Sequence, residues 1–162
     1  MKRYILILVG FLLILAAAVC FAGEEEYEQT KIYFVDSQIF RLIGVNTQIE
    51  TGTPQAQARE VLDILIEGYD YNDNIKRVLP KVKKGMKVKV VDNIASVDIK
   101  PEMVKRQEKA REIESLAIYS IVNSLTEIEG IDAVRFTIDG MICEKYAGFI
   151  DMRETFAKND IY

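Results

Sequence analysis

"MKVKVVDNIASVDI", residues 86–99, decides how the rest of the chain is read. Met86, Val88 and Val90 alternate with Lys87 and Lys89, a turn falls at Asp92 and Asn93, and residues 94–99 return as a second strand. A period of two sends successive side chains to opposite faces, so this stretch is a β-hairpin with one face in a core and the other in water.

Upstream, "KIYFV" (31–35) is β-branched and aromatic, and "FRLIGVNTQIE" (40–50) alternates loosely, which predicts two adjacent strands. Thr53 then offers an N-cap and Pro54 a first helical residue. The helix that follows places Ala58, Val61, Leu62 and Leu65 on one face and stops near Gly68.

Downstream, Pro101 leads to a second helix over 104–127. Its Ala110, Ile113, Leu116, Ala117, Ile121 and Leu125 recur at helical spacing, and Ile118, Tyr119 and Val122 widen the stripe. "DAVRFTI" (132–138) is the next strand, and Asp139-Gly140 is a structural turn signal before a short strand at "MIC". The order is β-β-α-β-β-α-β-β. That pattern predicts the α+β class: a single domain with a mixed or antiparallel sheet and two helices on one face.

Lys2 and Arg3 precede nineteen uncharged residues, 4–22, and then the acids Glu24, Glu25, Glu26 and Glu28. A helix of that length rises about 1.5 Å per residue and can cross a core of roughly 30 Å, while a cleaved leader usually has a shorter apolar run. The basic flank puts the N-terminus in the cytoplasm and everything else outside. Residues 1–22 therefore serve as a retained membrane anchor, a cleaved leader or, through lipidation at Cys20, a lipoprotein leader. Length favours the first. Cys20 is preceded by Val19 and Ala17, and a β-branched neighbour suits lipoprotein processing poorly. An acidic spacer at 23–30, a domain at 31–155 and a tail at 156–162 complete the organisation.

Without residues 1–22 the chain carries 19 Lys and Arg against 25 Asp and Glu, a net charge of −6, which argues against nucleic acid as a partner. The 140 remaining residues suffice for one core. One cysteine, Cys143, remains there and is read as a small buried apolar residue. With no histidine in the chain, the commonest general base and zinc ligand are missing. Ser96, Ser115 and Ser120 could pair with lysine, but none sits in a Gly-rich elbow. "DYNDN" has Asp70, Asn72 and Asn74 at positions 1, 3 and 5 of a calcium loop, yet Ile75 and Lys81 stand where that loop needs Gly and Glu. Asp98, Asp139 and Asp151 are explained by a turn and by strand ends. No catalytic, cofactor or metal residue is assigned.

Seven basic residues and no acid fall between Ile75 and Val91. Lys81, Lys83, Lys84, Lys87 and Lys89 are the candidates for contact with an anionic surface; a solvated hairpin face that discourages edge pairing is the favoured explanation of them.

Four stretches in order, "KIYFVD", "VLDILIEG", "VLPKVKKGMKVKVVDNIASVDI" and "IYSIVNSLTEIEGIDAVRFTIDG", resemble the GerMN domain family of sporulation and spore-germination proteins, over about residues 30–155. One departure is "EGYDY", where the family usually has Gly followed by Pro. The resemblance implies a non-catalytic domain on the outer face of the cell envelope, tethered to the membrane and often lipidated, whose partners are envelope or sporulation proteins. It carries over no site residues. The rival expectation is a module binding peptidoglycan or an anionic wall polymer through the basic hairpin.

Overall fold

The computed structural model describes residues 26–68 and 72–161. Strands β1 (Tyr27–Asp36) and β2 (Arg41–Glu50) pair antiparallel along their whole length, from Tyr27 opposite Glu50 to Asp36 opposite Arg41. A two-residue β3 (Ile75–Lys76) joins the far end of β1, giving the order β2-β1-β3.

Helix α1 (Pro54–Glu67) starts where the sequence says it should. The Thr53 hydroxyl accepts the Ala56 N–H at 3.3 Å, and Pro54 occupies the first turn, where its missing N–H costs nothing. Gly68 ends the helix at φ 93, and its N–H returns to the Ile64 carbonyl. Ala58, Val61, Leu62 and Leu65 all face the core.

The hairpin of β4 (Met86–Val91) and β5 (Ile94–Ile99) is closed by Asp92 and Asn93 at φ 50 and 60, the left-handed pair that a two-residue type I′ turn requires. Helices α2 (Pro101–Arg106) and α3 (Arg111–Leu125) carry the chain across to β6 (Ala133–Ile138), which lies parallel to β5. The second sheet has the order β4-β5-β6. Its inner face presents Val88, Ala95, Val97, Val134 and Phe136 to the core, and Lys87, Lys89 and Arg135 stand on the other. Helices α1 and α3 pack on each other and on strands of both sheets. A single main core built from Ile32, Phe34, Ile49, Leu65, Ile121 and Phe136, among others, runs through the domain.

The α+β class and the single domain are those the sequence indicates, with four differences in detail. The strands form two three-stranded sheets rather than one, because α3 lies along β1 beyond β3: the Ser124 hydroxyl accepts the Tyr33 N–H at 2.8 Å, where a further strand would bond. The helix expected over 104–127 is split at residues 107–110, since the Gln107 side chain is buried and bonded to the Val78 carbonyl and the Tyr146 hydroxyl. The strand expected at "MIC" is reduced to one bridge between Ile138 and Met141. Ordered structure also extends to either side of the expected domain at 31–155. Residues 27–30 of the expected spacer are already strand, and in the expected tail Phe156 exchanges backbone bonds with Val134 at 2.7 and 2.8 Å. Asn159 likewise exchanges hydrogen bonds with Asn123.

Candidate functional site

The fold has two distinguishable ends. At the proximal end, where β1 begins, Gln57 bonds Glu28, Gln55 accepts the Val90 N–H and Asn93 bonds Asp132, so the start of α1 meets the turn of the β4–β5 hairpin. At the distal end, where β1 finishes, lie β3, the loop to β4, α2 and the β1–β2 connection. Ten extended residues separate the ends by roughly 30 Å.

The distal end holds a groove of about 410 Å³ with an apolar floor of Val35, Val78, Leu79 and Leu116. Lys76, Arg77 and Arg106 stand on its rim with one acid, Glu108. Arg77 is held in place by the carbonyls of Ile66 and Glu67, at 3.2 and 3.1 Å from Nη1, and Arg106 by Glu102 one turn earlier. The tip of the β1–β2 connection forms one wall. Ile39 and Phe40 there are 60% and 51% exposed, and Phe40 adopts φ 54. Its N–H donates to the Asp36 carbonyl at 2.8 Å, while the Asp36 carboxylate accepts the Gln38 N–H at 2.8 Å. Beyond Phe40 a smaller hollow of about 310 Å³ is lined by Arg41, Arg111, Glu112 and Ile161.

The five candidate lysines divide between two places. Lys81, Lys83 and Lys84 lie in the distal loop, where Lys81 pairs with Glu67 at 2.6 Å and holds that exposed carboxyl below its usual range. Lys87 and Lys89 project from the solvent face of β4. A groove of about 490 Å³ between α1 and β4 brings Lys84, Lys87, Arg59 and Lys100 together with one acid, Asp63.

The remaining candidates are dispersed. Asp98 accepts the Thr137 hydroxyl at 2.8 Å and the Gly140 N–H at 2.7 Å, so its work is to brace the turn in which Asp139 and Gly140 sit at φ 53 and 76. Asp151 pairs with Arg153, which holds its carboxyl well below the usual range. Ser115 and Ser120 are buried, and the Ser120 hydroxyl donates to the Ala117 carbonyl. Asn72 accepts the Asn74 N–H in a local turn. Among the described residues, no three Cys, Asp or Glu side chains gather as a metal site. Cys143 corrects the sequence reading: it is half-exposed in the loop after β6, beside the exposed Met141 and Ile142, because the expected strand that would bury it does not form. Cys20, the apolar run 4–22 and Asp70 lie outside the described residues. Among the described ones, no helix is long and apolar enough to cross a membrane.

The family model for Germane, described as sporulation and spore germination, matches residues 31–142. The chain belongs to this family. Solved structures of the same fold include a candidate lipoprotein from Clostridium perfringens, with a TM-score of 0.60 at 18% identity, covering 84% of this chain and 92% of that one. The first GerMN domain of the sporulation protein GerM from Bacillus subtilis gives a TM-score of 0.56 at 19% identity, covering 77% of this chain and 92% of that one. The tandem GerMN domains of the same protein give 0.58 at 19% identity over 77% of this chain and 44% of that one. No curated protein matches.

The Germane match takes in the groove residues from Val35 to Leu116 but ends at Ile142. The segment after it is nevertheless integral. The Glu114 carboxylate, fully buried on α3, accepts the N–H groups of Ala147, Phe149 and Ile150 at 3.4, 3.0 and 3.3 Å. Burial, with the Glu114 charge nearby, pushes the Tyr146 hydroxyl well above its usual range. The sequence reading missed Ile39, Phe40, Arg77 and Arg106. A usable signal was present in two large apolar residues inside a four-residue connection between strands, where turn chemistry favours small polar ones.

Proposed function

We propose that this chain is a non-catalytic module of the outer cell envelope, tethered through its N-terminal segment, that assembles with other envelope proteins in sporulation or germination. The observation that carries the reading is the different charge set around the two ends. Glu26 and Glu28 mark the end where the tether joins, and Glu50, Glu60 and Asp132 lie beside it. Ile39 and Phe40, set among arginines and lysines, mark the end some 30 Å away, whereas the exposed Tyr27 and Val91 at the tether end stand beside acids. An acidic proximal end is repelled by anionic headgroups, so the tether presents the opposite end outward. Family membership supports the biological setting, and the side chains of Asp98, Ser120 and Asp151 are engaged in bonds within the fold. Cross-linking in sporulating cells tests the reading: adducts with envelope proteins are expected, and their absence overturns it.

The second reading, binding of peptidoglycan or an anionic wall polymer, is favoured by the groove that joins Lys84, Lys87, Arg59 and Lys100. Cosedimentation with purified cell wall that is lost at high salt is its signature.

A further inference from the structure

We propose that the distal groove and the Phe40 ridge form a docking site for an acidic segment of a partner protein that inserts a large apolar side chain. The inference rests on the protein-assembly reading and specifies the face and the chemistry of the partner.

Three observations carry it. Phe40 occupies a left-handed conformation that bulky residues rarely adopt, and it does so at 51% exposure, where no core packing rewards the strain. Two hydrogen bonds through Asp36 hold the tip in that shape, so the ring is displayed in a fixed position. The left-handed residue closes the β1–β2 turn, which Gly or Asn would do without strain, so a large exposed ring at that position points to a gain outside the domain.

The second observation is charge. Around Phe40 stand Lys76, Arg77 and Arg106 on one side and Arg41 and Arg111 on the other, against Glu108 and Glu112. Five cations face these two acids, the Glu102 that pairs with Arg106 and the Asp36 carboxylate of the tip, and the remaining positive charge favours an acidic segment over a basic one. Arginine and aromatic residues together are also the side chains that dominate binding energy at protein interfaces.

The third is the apolar floor. Val35, Val78, Leu79 and Leu116 offer nothing to a glycan phosphate, and on the tethered reading lipid lies at the other end of the domain. A polypeptide supplies both carboxylates for the rim and a hydrocarbon side chain for the floor.

The test uses the full-length chain in nanodiscs of zwitterionic lipid and the anisotropy of fluorescein-labelled peptides. The probes are a peptide of alternating Glu and Leu, the same with Lys for Glu, and the same with Ser for Leu. The Glu/Leu peptide is expected to bind, with affinity falling about ten-fold in Phe40→Ala and again in Arg106→Glu. Lys89→Glu, on the outer face of β4, should leave it unchanged. Both groove side chains are largely exposed, and unchanged melting temperatures establish that the variants fold. Equal binding of the Lys/Leu peptide, indifference to Phe40→Ala, or no binding of any probe overturns the proposal. Photo-cross-linkers at positions 39 and 91 in sporulating cells separate it from the broader reading. Adducts from 39 that disappear with Arg106→Glu support it; adducts from 91 alone overturn the docking face and leave assembly standing, and none from either position overturns both.

Discussion

Glu114 concentrates more of the C-terminal structure on one side chain than any other residue of α3. A buried carboxylate is costly unless it is bonded, and here three N–H groups from residues 147–150 converge on Oε2. Glu114→Ala strands those donors and is expected to destabilise the domain by about 1–3 kcal/mol. Denaturation midpoints check the magnitude, and faster hydrogen exchange at Phe149 and Ile150 checks the cause. Gly85 is constrained differently. A Cβ there would fall 2.2 Å from the Met103 sulfur and 3.0 Å from the Val82 carbonyl oxygen, so Gly85→Ala should cost about 1–3 kcal/mol through overpacking. Since the closer clash is with a side chain, the same change made in Met103→Ala should cost less. Equal costs in the two backgrounds would assign the effect to the backbone instead.

The break between α2 and α3 is an element-scale consequence of Gln107. Residues 107–110, Gln-Glu-Lys-Ala, are all compatible with helix, so no sequence signal marks the interruption. What interrupts it is a buried amide bonded to two distant segments, the Val78 carbonyl and the Tyr146 hydroxyl. Gln107→Leu leaves both unpaired and should destabilise by about 1–3 kcal/mol. Adding Tyr146→Phe removes one orphan, so the double variant should melt above the single one. A second tie joins β1, the end of α3 and the C-terminal segment: Tyr33 donates to Glu127 at 2.9 Å, and Lys158 pairs with the same carboxylate. Burial pushes the Glu127 carboxyl up, but its bonds with Lys158 and Tyr33 outweigh this and leave it below the usual 4.5. A carboxyl lowered in the folded state binds fewer protons there than when unfolded. Its contribution is therefore complete above about pH 4.5 and is lost as pH falls through the lowered folded value. Glu127→Gln should flatten the melting temperature across that acid window and leave its slope near neutrality unchanged.

For the molecule as a whole, the retained-anchor reading would let the tether decide what the distal end can meet. Four residues, 23–26, separate the apolar run from β1, a reach of roughly 13 Å even when extended, so an anchor there would keep the domain close to the bilayer. The retained-anchor reading makes a direct prediction. The chain should fractionate with membranes, keep its first residues and remain there in Cys20→Ser. If wild type takes up a fatty-acid label while Cys20→Ser loses it and accumulates precursor, the anchor is a lipid; if most of the protein is soluble and begins after residue 22, it is secreted.

Strand and helix positions were legible wherever a local rule acts alone. The β4–β5 hairpin follows from period-two alternation and an Asp-Asn turn, and α1 from its Thr-Pro start, its apolar stripe and Gly68. Such signals are written in neighbouring residues, because backbone sterics and side-chain spacing operate over a few positions. The division into two sheets, the split helix and the engaged C-terminal segment depend on partners tens of residues away: Ser124 with Tyr33, Gln107 with Val78 and Tyr146, Glu114 with residues 147–150. The candidate site belongs to the same class. Phe40, Arg77 and Arg106 come from three separate segments and share no local pattern, and a hydrogen bond or a groove between distant segments exists only once packing has brought them together.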